Sequence, residues 1–151
     1  MVPRNPDAFR YDFAVYDRSG HVTVLLEAKR KVATDPSWAR EWHSMIVERT
    51  AVPNEAQIVL VALDRLYGWR PGAGASAPPD WTVDAREMLR PYFERLHIEP
   101  TRIEPRLFEE VVGLWLRDVA QGRIGEEAIV SGARDVISAI REGEIVERAA
   151  A

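Results

Sequence analysis

Residues 10–29 read RYDFAVYDRSGHVTVLLEAK, and the way this stretch folds decides the rest of the chain. RYDFAVYD at 10–17 alternates and is rich in aromatic and β-branched types, the pattern of a strand. Arg18-Ser19-Gly20 is a turn signal, and HVTVLLEAK at 21–29 is a second strand, so the short polar connection predicts an antiparallel hairpin. Residues two apart on a strand share a face. Val22, Val24, Leu26 and Ala28 therefore face one way, and Thr23, Leu25, Glu27 and Lys29 the other. On the first strand Asp12 goes with Arg10, Ala14 and Tyr16. Asp12 and the Glu27–Lys29 pair lie at similar distances from the turn, so pairing brings them to one level.

Outward from the hairpin, the pattern after Lys31 turns helical. Thr34 or Asp35 can cap a helix whose first turn holds Pro36, and Trp38, Trp42, Met45, Ile46 and Arg49 follow helical spacing up to a stop before Pro53-Asn54. AQIVLVAL at 56–63 is the most apolar segment, short and β-branched, which predicts a central strand buried on both faces. Asp64-Arg65 then turns into an edge strand over 66–70. PGAGASAPP at 71–79 is a break, and beyond it the pattern predicts helices over 83–96, 105–120 and 125–148, with Pro100 and Gly122 marking interruptions. This order predicts an α+β fold, a small mixed sheet of about four strands flanked by helices. It forms one domain, with a sheet-forming part at 1–70 and a helical part at 81–148.

A chain of 151 residues can bury a sizeable core without staples, and the absence of Cys excludes a disulfide scaffold, a thiolate nucleophile and a Cys-ligated metal. It suits a reducing compartment, and no basic-plus-apolar leader or membrane-length apolar run is present, so the cytoplasm is the expected location. The net charge of −4 argues against coating nucleic acid by bulk electrostatics but leaves room for a local phosphate site. Residues 1–70 carry 10 basic and 9 acidic side chains against 10 and 15 in 71–151, so a nucleic-acid contact belongs to the first half. Of the 20 basic residues only Lys29 and Lys31 are Lys. Coding bias accounts for such a skew, yet Arg does not replace Lys where a compact, titratable ammonium is required.

Two carboxylates and an ammonium gathered by adjacent strands are costly to bury, and a divalent cation relieves that cost. Hard oxygen ligands suit Mg²⁺, which keeps several waters that phosphate oxygens can displace. The plainer alternative is a solvated Glu27–Lys29 salt bridge at a strand end, and the residues alone leave both open.

Asp12, followed after a short hairpin by Glu27-Ala28-Lys29, resembles the D…(D/E)XK signature of the PD-(D/E)XK nuclease superfamily, whose restriction-endonuclease-like core is a mixed sheet flanked by helices. YDFAVYD at 11–17, VLLEAK at 24–29 and IVLVALDRLYGWR at 58–70 widen the similarity, and 89–115 resembles the C-terminal helical part of small bacterial members. The resemblance implies metal-dependent hydrolysis of phosphodiester bonds, in DNA ahead of RNA. Asp12, Glu27 and the carbonyl of Ala28 would hold Mg²⁺ or Mn²⁺, which lowers the pKa of a bound water. Lys29 would orient or help deprotonate that water, so that Lys29→Arg is not a conservative change. Arg30 and Lys31 would contact flanking phosphates, or else form a solvated charge run.

The chain departs from the family pattern in several ways. Tyr11 stands where Pro is usual, and the literal Pro6-Asp7 lies farther from Glu27 than Asp12 does. Only eleven residues precede Asp12, so the acidic residue of a leading helix is expected to be missing, with a sheet face left open to a homodimer contact. The Gln-containing helix motif of some members is not evident over 36–51. His43 is read as a packing residue ahead of a base. Trp38, Trp42 and Trp69 are read as sheet–helix filling ahead of base-stacking platforms. Two rival readings stand beside the enzyme: a catalytically inactive nuclease-fold protein serving as a nucleic-acid-binding or protein-assembly module, and a helical interaction protein whose sheet only supports its acidic helices.

Overall fold

A computed structural model describes residues 11–124 and 133–148. The hairpin forms as its alternation requires: β1 (Phe13–Tyr16) pairs antiparallel with β2 (Val22–Ala28) in the register Phe13↔Leu26, Ala14↔Leu25 and Val15↔Val24. The Asp17 carboxylate ties the turn by accepting from the backbone N–H groups of Ser19 and His21 at 2.9 Å, and Gly20 takes the left-handed conformation the turn needs (φ 83°). The register slips between Val15 and Tyr16, so that Tyr16 faces Val22. That slip sends Val22 to the side of Leu25 rather than to the side of Val24 and Leu26, where strict alternation had put it.

Helix α1 (Pro36–Arg49) starts where expected, with the Asp35 side chain accepting from the Trp38 N–H at 2.8 Å and Pro36 in the first turn. It carries the chain to β3 (Gln57–Val61), which runs parallel to β2 and lies at the middle of the sheet. Four of the five β3 residues are buried, as an apolar strand covered on both faces should be. β4 (Arg65–Trp69) returns antiparallel.

The sheet has six described strands in the order β5-β4-β3-β2-β1-β6, two more than the sequence pattern suggested. The first addition, β5 (Trp81–Asp84), pairs with β4 and makes it an interior strand, not the edge expected over 66–70. The helix expected from Val83 begins at Ala85, because Asp84 caps α2 (Ala85–Leu96) by accepting from the Arg86 N–H. Trp81 is laid across Gly68, where an added Cβ would sit 2.0 Å from the indole, so only glycine admits this pairing. The second addition, β6 (Glu144–Glu147), lies inside the segment read as a helix to 148 and pairs with β1. Helix α4 (Arg134–Glu142) stops at Gly143, whose hydrogen faces Val15 Cγ1 and the Tyr16 carbonyl. A Cβ there would stand 2.5 and 2.8 Å away. Residues 125–132 of that expected helix, and Arg10 and Asp7, lie outside the described residues.

Helix α3 (Pro105–Ala120) follows a 3-10 turn at Pro100–Arg102. α2, α3 and α4 cover one face of the sheet through a core reaching from Phe13 to Ile140 and including Leu26, Val61, Leu89, Phe108, Trp115 and Ile137. α1 covers the other face through Ala14, Leu25, Trp42, Leu60, Tyr67 and Trp69. Both faces therefore carry helices, and the open face that motivated a dimer is absent among the described residues. No described helix is long and apolar enough to cross a membrane.

Candidate active site

Carried one step past Phe13↔Leu26, the hairpin register sets Asp12 level with Glu27. Asp12 lies just before the regular strand, and the alternation is interrupted there: Tyr11 joins Ala14 and Tyr16 in the α1-side core. The Asp12 carboxylate is 6% exposed as a residue and its Oδ2 accepts from the Ala28 N–H at 2.8 Å. Its backbone carbonyl accepts from the Arg148 N–H at 2.9 Å, which fastens it to the end of β6. The structure thus joins Asp12 directly to the Glu27-Ala28-Lys29 stretch.

Glu27 is held on both sides. The Trp42 indole N–H donates to Oε2 at 3.0 Å, and Lys29 Nζ stands 3.6 Å from Oε1. The Glu27 side chain is 12% exposed and that of Lys29 46% exposed, so the carboxylate lies inside and the ammonium at the mouth. Burial pushes both Asp12 and Glu27 above the usual carboxylate range, and the Asp12 charge adds to the rise of Glu27 as the Glu147 charge adds to that of Asp12. The Ala28 N–H and Lys29 pull in the opposite direction.

The alternation of β2 continues past Ala28. Lys29 N–H donates to the Val61 carbonyl at 2.8 Å and Leu63 N–H to the Lys31 carbonyl at 3.0 Å, which prolongs the parallel ladder. Lys31 accordingly lies over the Trp38 ring at 5.1 Å, on the α1 side with Lys29. Arg30 points through to the helical layer, where its guanidinium donates to the carbonyls of Ile103 and Thr101. Of the two residues assigned to phosphate contact, Lys31 stays at the surface beside the site, whereas Arg30 spends donors on the backbone of the 100–103 turn.

Two neighbours were not visible in the sequence pattern. Trp42, read as filling, also supplies the donor that fixes Glu27; the available signal was that a buried indole N–H needs an acceptor. Glu109 of α3 lies near Asp12 and Glu147, and burial first and then these two carboxylates raise it above the usual range. Its approach depends on how α3 packs, which no local pattern encodes. His43 is a packing residue, fully buried, stacked on Trp69 at 4.5 Å with planes 7° apart, and burial lowers its pKa. Trp42 and Trp69 are buried in the α1-side core, so neither is a platform for bases.

The donor set fits a small hard cation. Asp12 Oδ1 takes no protein donor among the described residues, Glu27 Oε1 faces only Lys29 Nζ at 3.6 Å, and the Ala28 carbonyl would be a third oxygen ligand. Among the described residues no group of three His, Cys, Asp or Glu is placed to hold a metal, so waters or substrate oxygens would complete the shell. Comparison with known proteins returns no matching family model, no matching curated protein and no matching solved structure.

Proposed function

We propose that the chain is a metal-dependent nuclease of the PD-(D/E)XK type, hydrolysing phosphodiester bonds of DNA in preference to RNA. The observation that carries this reading is the junction of Asp12 Oδ2 with the Ala28 N–H at 2.8 Å, beside a Glu27 carboxylate paired with Lys29. Glu27 and Asp12 are buried carboxylates, the Asp12 charge raises Glu27, and Lys29 and Arg148 offset this only in part, so that a divalent cation would balance them. Asp12, Glu27 and the Ala28 carbonyl would hold Mg²⁺ or Mn²⁺. When bound, the ion supplies Lewis-acid polarisation of the phosphate and a more acidic water. Trp42 fixes the Glu27 carboxylate plane, and Ala28 N–H fixes that of Asp12. Lys29, at the mouth, holds the attacking water and balances charge growing on the phosphate oxygens, and Lys31 meets a flanking phosphate. The lack of Cys suits a cytoplasmic protein.

A second reading has its own observation. Trp42 and Ala28 each occupy one carboxylate oxygen, as they would in a site kept closed for structural reasons, and the chain is then a nuclease-fold binding or assembly module. Cleavage of supercoiled DNA and single-stranded RNA by the purified chain with Mg²⁺ or Mn²⁺ separates the two. The enzyme cleaves only with metal and loses about 10²–10⁴-fold of its rate in Lys29→Ala. No cleavage of either substrate with either ion overturns the enzyme reading.

A further inference from the structure

A cavity of about 950 Å³ opens on the opposite side of the sheet from Lys29, at the carboxyl ends of the parallel strands β2 and β3. That is the size of a small-molecule site and the place where open sheets with parallel strands bind ligands. Leu63, from the segment leaving β3, gives an apolar floor with Phe93 and Ile98 from the end of α2, and Val32, from the segment leaving β2, stands at the rim. Ala33 (φ 53°) and His97 (φ 55°), both lining it, are the two non-glycine residues with left-handed backbone among the described residues. His97 takes this form as the cap that ends α2, whereas Ala33 ends no helix.

The charges around the cavity are unequal once existing partners are subtracted. Both oxygens of Asp64 are engaged by Thr34, through its N–H at 2.9 Å and its hydroxyl at 2.8 Å. Arg86 is paired with Asp84 at 2.9 Å, and Arg90 with Glu87. Glu94 and Glu99 remain, with no ion pair or side-chain hydrogen bond among the described residues. The last turn of α2 adds to them. Its Phe93 and Glu94 carbonyls accept from the N–H groups at its end, but the helix still presents its negative pole here, at the His97 cap.

We propose that this cavity binds a small amphipathic organic cation, with an apolar or aromatic body on Leu63, Phe93 and Ile98 and an ammonium facing Glu94, Glu99 and the end of α2. The site is separate from the Asp12–Glu27 hairpin and does not depend on any activity there. Two probes of one shape decide it, 2-naphthylmethylamine and 2-naphthoate, titrated into the full chain by calorimetry. The amine is expected to saturate at one per chain and to bind about tenfold or more tighter than the acid. Glu94→Gln/Glu99→Gln, both exposed, is expected to remove that preference while leaving the thermal midpoint unchanged, and Val32→Trp, at a rim position 48% exposed, to abolish binding. Equal or tighter binding of the acid, uptake of the amine without saturation, binding of neither probe, or a preference that survives the double substitution overturns the proposal.

Discussion

On the face covered by α2, α3 and α4, the buried side chains are mostly aliphatic and aromatic, Leu26, Val61, Leu89, Phe108, Val112 and Ile140 among them. On the face covered by the single helix α1, buried aromatic residues pack around polar ones: Trp42 donates to Glu27, His43 stacks on Trp69, and Thr34 bonds to Asp64 and Tyr67. The first face holds the sheet together by area removed from water. The second trades some of that for a few fixed polar groups, and the candidate site opens at its end. A dry core on both sides would leave Glu27 without a donor, and the Trp42 indole of the α1 face supplies it.

The largest effect is expected where only packing is at stake. Phe108 is completely buried in the helical-side core, so Phe108→Ala should cost about 3–5 kcal/mol and lower the thermal midpoint by about 6–20 °C. A fall of under about 2 °C would show that this face does not carry the fold. On the α1 side Trp42→Phe keeps an aromatic ring but removes the donor to Glu27, at a cost of about 1–3 kcal/mol. Since that donor favours the carboxylate, Glu27 should titrate at still higher pH in the variant, which carboxyl NMR would read directly.

Much of this contrast can be read from the sequence. RYDFAVYD and HVTVLLEAK encode the hairpin through period-two alternation, AQIVLVAL encodes the central strand, and Asp35-Pro36 marks the start of α1. β5 and β6 are hidden because each is only four residues long and depends on a distant partner. Trp81 pairs only because Gly68 leaves room, and 144–147 becomes a strand only because Gly143 lets the chain pass Val15 and Tyr16. At the site, register brought Asp12 level with Glu27 and parity paired Glu27 with Lys29, whereas the parity that grouped Asp12 with Ala14 and Tyr16 fails because Tyr11 takes that face. The Trp42 donor, the turning of Arg30 onto the 101–103 carbonyls and the approach of Glu109 all arise from packing between elements, where local periodicity is silent.

Smaller effects concern pH. Burial depresses the His43 pKa, so between its folded value and about 6.5 the unfolded chain binds a proton that the folded chain refuses. Stability contributed by His43 is therefore present above about pH 6.5 and is lost as pH falls through that window. His43→Phe should flatten this slope in denaturant titrations, and an unchanged slope would assign it elsewhere. Asp12 and Glu27 have the opposite sign: their folded pKa values are raised, so their contribution is present at low pH and lost as pH rises through those values. Asp12→Asn keeps an oxygen for the Ala28 N–H and removes one of two repelling charges, so it should raise the midpoint at neutral pH by about 2–4 °C.

That same substitution bears on the central claim, that the end of the β1–β2 hairpin is a divalent-cation site. Mn²⁺ binding followed by electron paramagnetic resonance, with the full chain, Asp12→Asn and Glu27→Gln side by side, tests it most directly. One saturable Mn²⁺ per chain, displaced by Mg²⁺ and lost in both variants while each stays folded, is the predicted result. No saturable Mn²⁺ on the unsubstituted chain, or binding that both variants retain, would contradict it.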